Sequence, residues 1–191
     1  MKVLGINGSA RKDGNTAIMI RTVFTELEKE GIETELIQFS GKTIQGCKAC
    51  MKCFENKNKR CAFDNDNFNE CLDKMIEADG IILGSPTYFT DVTAEMKGLI
   101  DRAGFVSFAN DRFFRRKVGA AVVAVRRAGS IHVFDTLNHF FFITEMMVPG
   151  SSYWNMGFGM SQGDVEKDEE GLRTMKVLGE NMAWMMKKLH A

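Results

Sequence analysis

The chain has 191 residues, of which 45% are hydrophobic, and its 25 basic and 25 acidic side chains give a formal net charge of zero. This length suits one domain with a core of ordinary size, and the balanced charge argues against binding to nucleic acid or a membrane surface through bulk charge. No apolar run approaches the roughly 20 residues of a membrane span, and the first residues reach a polar loop too soon for a secretory signal. We therefore expect one cytoplasmic domain over 1–191, with no nucleic-acid or membrane partner.

Short apolar strands alternate with amphipathic helices along the chain. Strands are predicted over 3–6, 32–39, 80–84, 118–125 and 145–148. Helices are predicted around the apolar faces at 20–27, 68–76 and 92–100, then over 131–143 and about 165–189. Continuously apolar strands that alternate with helices indicate a parallel sheet covered on both sides. The predicted fold is an α/β doubly wound five-stranded parallel sheet with helices on both faces.

The loop after the first strand, 8–16, reads GSARKDGNT and opens a helix. Ligands of such sheets bind at the carboxyl ends of the strands, where a helix N-terminus presents free N–H groups and the positive end of a dipole. Ser9, Asn15 and Thr16 add neutral donors, and Arg11 adds a charged one. The motifs GxxxxGK[ST] and GxGxxG are absent, and no acidic residue ends the second strand. The loop therefore favours a lone monophosphate, and a polar turn that merely starts a helix is the alternative.

Four of the five cysteines lie in a segment at about 46–64. Cys47, Cys50, Cys53 and Cys61 have the spacing C-x2-C-x2-C-x7-C, whose short steps bring successive sulfurs to one side of a tight loop. Without an export signal, such a cluster indicates metal or redox chemistry more than a disulfide framework. A [4Fe–4S] cluster is the leading interpretation, with a structural zinc site or no metal as alternatives. Cys71 is in register with an apolar helix face and is predicted to be buried.

The pattern GSxRxxxNT after a first strand resembles the flavodoxin-like NAD(P)H-dependent FMN reductase superfamily, and the loop 85–89, SPTYF, resembles that family's SPxY loop. The resemblance implies that the first loop holds the phosphate of FMN and that the second loop lines its isoalloxazine ring. The predicted FMN-binding residues are Ser9, Arg11, Asn15, Thr16, Ser85, Pro86, Thr87, Tyr88, Phe89 and Arg126. No side chain is predicted to be catalytic, because a flavin carries the chemistry itself.

Together with the cysteine run, the pattern resembles the iron–sulfur flavoproteins, a branch of the same superfamily. That resemblance implies FMN plus a [4Fe–4S] cluster, NAD(P)H or ferredoxin as an electron source, and a homodimer or homotetramer. The chain departs from the family after the fourth strand, where Arg126-Arg127-Ala128-Gly129-Ser130 replaces a glycine-rich loop. These arginines either stabilise an anionic flavin, bind an acidic substrate or pair with carboxylates at a subunit contact. An aromatic loop at 153–159 is either a subunit contact or a flap over the flavin.

The leading functional hypothesis is an FMN-dependent oxidoreductase of iron–sulfur flavoprotein type, which transfers electrons between FMN and a cluster or an external donor or acceptor. The first alternative is an NAD(P)H-dependent FMN or quinone reductase without a cluster. The second is a flavodoxin-like electron carrier with no catalytic activity. In a third, the cysteine segment is a structural zinc knuckle.

Overall fold

Parallel strands form the centre of the protein in the computed structural model, which describes residues 1–190. The strands are β1 (Lys2–Asn7), β2 (Glu33–Gln38), β3 (Gly80–Pro86), β4 (Val118–Val125) and β5 (Met156–Phe158). They form one five-stranded sheet in the order β2-β1-β3-β4-β5, and all of its neighbouring strands are parallel. This is the strand order of flavodoxin-like folds, so the predicted fold class is confirmed.

Within residues 1–190, six α-helices and one 3-10 turn accompany the sheet. The helices are α1 (Asn15–Lys29), α2 (Lys52–Asn56), α3 (Phe68–Glu77), α4 (Ala94–Ala109), α5 (Ser130–Ile143) and α6 (Glu169–Leu189), and the 3-10 turn is Asp164–Lys167. The apolar sides of α1 and α6 pack on one face of the sheet, and those of α3, α4 and α5 pack on the other. None of these helices combines the length and the apolarity that crossing a bilayer requires.

The predicted fifth strand at 145–148 is wrong, because the edge strand is β5, Met156–Phe158. Met147 forms only an isolated parallel bridge, in which its N–H donates to Lys117 O (2.9 Å) and its carbonyl accepts from Gly119 N (2.8 Å). Pro149 follows two residues later and lacks the N–H that a ladder requires. The chain rejoins the sheet only at Asn155, whose carbonyl accepts from Val123 N (2.9 Å).

Two predicted helices begin later than their apolar patterns indicate. Val92 is buried but precedes α4, because the Thr93 side chain caps this helix by accepting from Met96 N. The predicted helix at 165–189 is divided into the 3-10 turn and α6, whose cap is Asp168. Each start thus coincides with a capping side chain that accepts a backbone N–H of the first turn.

The packing of α6 against α1 requires a glycine at position 179, and this gives a stability prediction. A methyl group on Gly179 would lie 2.8 Å from the carbonyl oxygen of Val23, which is rigid helix backbone. Gly179→Ala is therefore expected to lower the free energy of unfolding by about 1–3 kcal/mol, as overpacked sites do. The urea unfolding transition measures this change.

Gly104→Ala is the matched control, because Gly104 also lies inside a helix. The nearest atom to its added methyl group is Phe140 Cε2 at 4.0 Å, an ordinary contact. This variant is expected to gain up to about 1 kcal/mol from the higher helix propensity of alanine. A Gly179→Ala variant as stable as Gly104→Ala would contradict the packing of α6 on α1.

Candidate functional site

A cleft of about 280 Å³ lies at the carboxyl ends of β1, β3 and β4. Its lining residues are Ser9, Arg11, Gly14, Asn15, Thr16, Pro86, Thr87, Tyr88, Ala124, Arg126, Gly159, Met160 and Gln162. The cleft therefore brings together most residues of the two predicted flavin loops and Arg126. Ser85 and Phe89 are the two predicted residues that do not line it.

The first loop folds into an open anion cradle at the start of α1. Asn7 Oδ1 accepts from Ser9 N (3.0 Å), and Ser9 Oγ accepts from Arg11 N (3.1 Å), which turns the chain after β1. Gly14 precedes α1 in an extended conformation, and no side chain caps this helix. The uncapped N–H groups and the helix dipole leave this end of α1 suited to an anion.

Asn15 and Arg11 hold a second segment, 159–163, over the cradle. Asn15 Nδ2 donates to Ser161 O (2.9 Å), and Asn15 Oδ1 accepts from Gly163 N (2.9 Å). Arg11 Nη1 donates to Met160 O (3.1 Å), and its other guanidinium donors have no partner among residues 1–190, so they are available to a ligand. The sequence interpretation reached only Gly159, the last residue of the loop 153–159 that it gave as a subunit contact or a flap over the flavin, and it missed 160–163. The one sequence signal of the segment is Gly159, where a methyl group would lie 2.6 Å from Asn15 Nδ2.

Residues 86–88 of the second loop form the opposite wall of the cleft. Ser85 is buried below this wall, where its Oγ donates to Pro86 O (2.9 Å) and accepts from Thr93 N (3.1 Å). Thr87 N donates to Ala124 O (2.9 Å), which fixes the loop to the end of β4. Thr87 Oγ1, in contrast, is buried without a hydrogen-bond partner within the described chain. A bound ligand with polar edges can supply that partner, so this wall fits a flavin ring.

The tip of the second loop is a two-residue turn in an unfavourable conformation. Tyr88 and Asp91 pair their backbones, and the two residues between them, Phe89 and Thr90, both have positive φ (49° and 67°). Such turns favour Asn and Gly, whereas a bulky or β-branched residue in this conformation is strained. The Phe89 side chain is fully exposed.

Relief of this strain gives a prediction about stability. Phe89→Asn is expected to raise the free energy of unfolding of the flavin-free protein by about 1 kcal/mol, because Asn tolerates positive φ and the exposed ring loses no packing. Phe142→Asn is the control, since Phe142 is also exposed but lies in the regular helix α5. Thermal unfolding that ranks Phe89→Asn at or below the wild type would contradict the strain.

Arg126 and Arg127 follow β4 at the rim of the cleft. Both side chains are exposed, and neither forms an ion pair with any residue in 1–190. Only Arg126 lines the cleft. The next turn needs Gly129, whose φ is +87° and whose added methyl group would lie 2.8 Å from Thr90 Cγ2. Arg126 thus stands at the cleft as a charge that the described chain does not neutralise.

A second, smaller cavity collects Cys47, Cys50, Cys53 and Cys61. All four are free thiols, with Cys47 and Cys50 exposed and Cys53 and Cys61 half-buried. Burial raises the pKa of the Cys53 thiol, so this side chain is held in its protonated form more firmly than an exposed thiol. Within residues 1–190, no group of three or more His, Cys, Asp or Glu side chains is arranged to hold a metal ion.

The cysteine cavity provides the right ligands for a cluster but is narrow. Four thiols that line one space are the set of donors that a [4Fe–4S] cluster would require. The volume of about 30 Å³ holds only a few water molecules. An eight-atom inorganic core would fit here only if the loop widened. Cys71 is 3% exposed and lies outside this cavity, and burial raises the pKa of its thiol to about 12, so its predicted burial is confirmed.

Two basic side chains of the cysteine segment contact other side chains of the protein. Lys48 Nζ lies 3.5 Å from the centre of the Phe63 ring, in a cation–π contact. Arg60 Nη1 pairs with Asp73 Oδ2 (2.6 Å). The sequence interpretation missed Arg102, a residue of α4 that lines the same cavity.

Comparisons with known proteins identify the family of this chain. Residues 1–161 match the family described as NADPH-dependent FMN reductase. Over 194 aligned residues the chain is 39% identical to an iron–sulfur flavoprotein of Methanocaldococcus jannaschii, with 98% of each chain covered.

Two solved structures show the same fold. RosB with bound 8-demethyl-8-formylriboflavin-5'-phosphate superposes with a TM-score of 0.79 at 20% identity, over 100% of this chain and 80% of that one. A flavodoxin, WrbA-like protein from Agrobacterium tumefaciens gives a TM-score of 0.66 at 16% identity, over 98% and 97% of the two chains. At these identities the likeness concerns the fold alone.

Proposed function

Because the chain belongs to the NADPH-dependent FMN reductase family, and within it to the iron–sulfur flavoproteins, we propose that it transfers electrons between FMN and a [4Fe–4S] cluster or an external donor or acceptor. Family membership by itself makes the chain an FMN-dependent oxidoreductase. The observation that carries the finer proposal is the set of four free thiols lining one cavity.

The cleft residues provide what FMN requires. The uncapped start of α1, with Ser9 and Thr16, receives the phosphate, and Arg11 adds charge from the side. Pro86, Thr87 and Tyr88 would line the ring, whose polar edge could supply the hydrogen bond that Thr87 Oγ1 lacks within the described chain. Bound FMN supplies the exchange of one or two electrons. Of the three roles that the sequence left open for Arg126, we favour the stabilisation of an anionic flavin by its charge at the rim of the cleft.

The cysteine segment presents its thiols near the surface. Cys47 and Cys50 are exposed, so a cluster on these residues is accessible to a protein donor or acceptor such as ferredoxin. Free cysteines also suit a reducing compartment, which supports a cytoplasmic location. A homodimer or homotetramer is supported by large exposed apolar side chains at Ile143, Tyr153 and Trp154.

The main competing function is an NAD(P)H-dependent FMN or quinone reductase without a cluster, which the family match over 1–161 also supports. Anaerobic stopped-flow measurements separate the two. We expect reduced ferredoxin to bleach the flavin absorbance rapidly and to produce the EPR signal of a reduced cluster. Rapid bleaching by NADPH or NADH, in protein that contains no iron, would instead establish the competing function.

A further inference from the structure

Arg102 is a buried cation beneath the cysteine segment. Its side chain is 1% exposed and lies in α4, on the side that faces the cysteine cavity. Its guanidinium carbon lies 3.9 Å from the centre of the Phe68 ring. A charge so deeply buried requires partners, because an isolated one is costly to remove from water.

The partners of Arg102 lie at the two ends of the cysteine segment. Before Cys47, Gln45 O accepts from Nη1 at 3.2 Å. After Cys61, Phe63 O accepts from Nη2 at 2.7 Å, and the buried carboxylate of Asp66 pairs with Nη1 at 2.5 Å. One side chain therefore ties together the entry and the exit of the loop that carries all four thiols.

We call Arg102 and its bonds to the two ends of the loop the clamp. Two neighbouring residues fix its geometry. Asp66 Oδ2 also accepts from Gln45 N (2.8 Å). Burial by itself raises the pKa of Asp66, but the hydrogen bonds from Arg102 and from backbone N–H groups outweigh it, so the pKa is lowered. Gly98 lies one helical turn before Arg102, where a methyl group would lie 2.9 Å from Gln45 O. The glycine thus lets α4 approach the loop backbone closely enough for the arginine to reach it.

One donor of Arg102 remains unused. Its Nε is buried and has no hydrogen-bond partner within the described chain, although the side chain lines the cavity of the four cysteines. A fixed cation beside a cluster, or an N–H that donates to its sulfurs, stabilises the form that carries one more electron and raises the reduction potential. We propose that Arg102, held by Asp66, is the positioning residue that closes the cysteine loop and raises the potential of the cluster. This inference rests on the proposed function.

Two substitutions test the proposal in opposite directions, with the potential read by EPR-monitored redox titration. Arg102→Lys keeps the positive charge but loses Nε–H and the simultaneous hydrogen bonds to both ends of the loop. We therefore expect the equilibrium constant for reducing the cluster to fall about tenfold, which lowers its reduction potential by about 59 mV for one electron. Asp66→Asn removes the opposing negative charge, so we expect the potential to rise. Arg112→Lys is the matched control, since the exposed Arg112 pairs with Glu145 and stacks on Phe108 but lies outside the cavity. It should leave the potential unchanged.

The possible outcomes separate this inference from the proposed function. Equal potentials in cluster-loaded wild type, Arg102→Lys and Asp66→Asn would overturn the role of Arg102 and leave the function intact. If a variant does not retain its cluster, hydrogen exchange over 46–63 in iron-free protein decides. Faster exchange at both ends of the loop supports the clamp, and unchanged exchange overturns it. A wild type that binds no cluster overturns the proposed function, and the tuning role with it.

Discussion

Cys53→Ala is expected to remove the iron and acid-labile sulfide from anaerobically purified protein while FMN remains bound. Cys53 lies in α2, is half-buried and lines the cavity with the other three thiols. A [4Fe–4S] cluster requires all four thiolates to converge, so the loss of one leaves an incomplete ligand set. The flavin should stay because Cys53 does not line the cleft at the ends of β1, β3 and β4. Iron, sulfide and flavin contents per chain measure the result.

Cys71→Ala is the control for this substitution. It removes the same thiol group from α3, but the Cys71 side chain is buried in the core and lies outside the cysteine cavity. Loss of a small buried side chain is expected to cost about 1 kcal/mol of stability and no iron. Equal iron contents in the Cys53→Ala variant and the wild type would exclude Cys53 as a ligand. Loss of iron in Cys71→Ala alone would reverse the assignment of the two thiols.

Asn15→Asp is expected to weaken FMN binding by about 30- to 150-fold. The phosphate of FMN carries nearly two negative charges at neutral pH, and a carboxylate at the exposed start of α1 repels it by about 2–3 kcal/mol, since two pairs of unit charges at about 4 Å cost about 2 kcal/mol in water and more at a lower dielectric constant. The carboxylate also cannot donate to Ser161 O, so the segment 159–163 loses one of its contacts with the cradle. Asp is favourable at a helix N-terminus, and the variant should therefore fold. Fluorescence titration of flavin-free protein measures the dissociation constant.

Asn181→Asp is the matched control for the flavin prediction. Asn181 also donates through Nδ2 to a loop carbonyl, Gly150 O at 2.9 Å, but it lies in α6 outside the cleft. It makes the same change in charge and loses the same kind of hydrogen bond, so FMN affinity should stay within about twofold of wild type. An Asn15→Asp variant that binds FMN as tightly as Asn181→Asp would place the phosphate elsewhere.

The central strands could be predicted from the sequence because their signal is local. β3 and β4 are almost entirely buried runs of apolar residues, and such runs are typical of the middle of a covered parallel sheet. β5 was missed because Met156–Phe158 is three residues long and contains Gly157. The segment at 145–148 has a stronger apolar pattern than β5. That pattern does not reveal that the segment pairs with β4 through a single bridge before Pro149.

The candidate site likewise contains residues that the sequence predicted and residues that it did not. The resemblance to the FMN reductase family implied that the loops after β1 and β3 meet at one flavin, and the parallel pairing of these strands places both loops at the same edge of the sheet. Residues 160–163 were not predicted as part of the site, since the contacts of this segment with Asn15 and Arg11 join residues about 150 positions apart. Arg102 follows Leu99 by three residues on the buried face of α4, and that position was its only signal. Its ion pair with Asp66 is invisible without the tertiary fold.

The most direct test of the central proposal is the composition and spectrum of protein purified without oxygen. We predict one FMN per chain, about four irons and four sulfides per chain, broad cluster absorbance beneath the flavin bands, and an EPR signal on reduction. Protein that contains FMN but neither iron nor sulfide, or that contains zinc in place of iron, would contradict the assignment of Cys47, Cys50, Cys53 and Cys61 to a cluster.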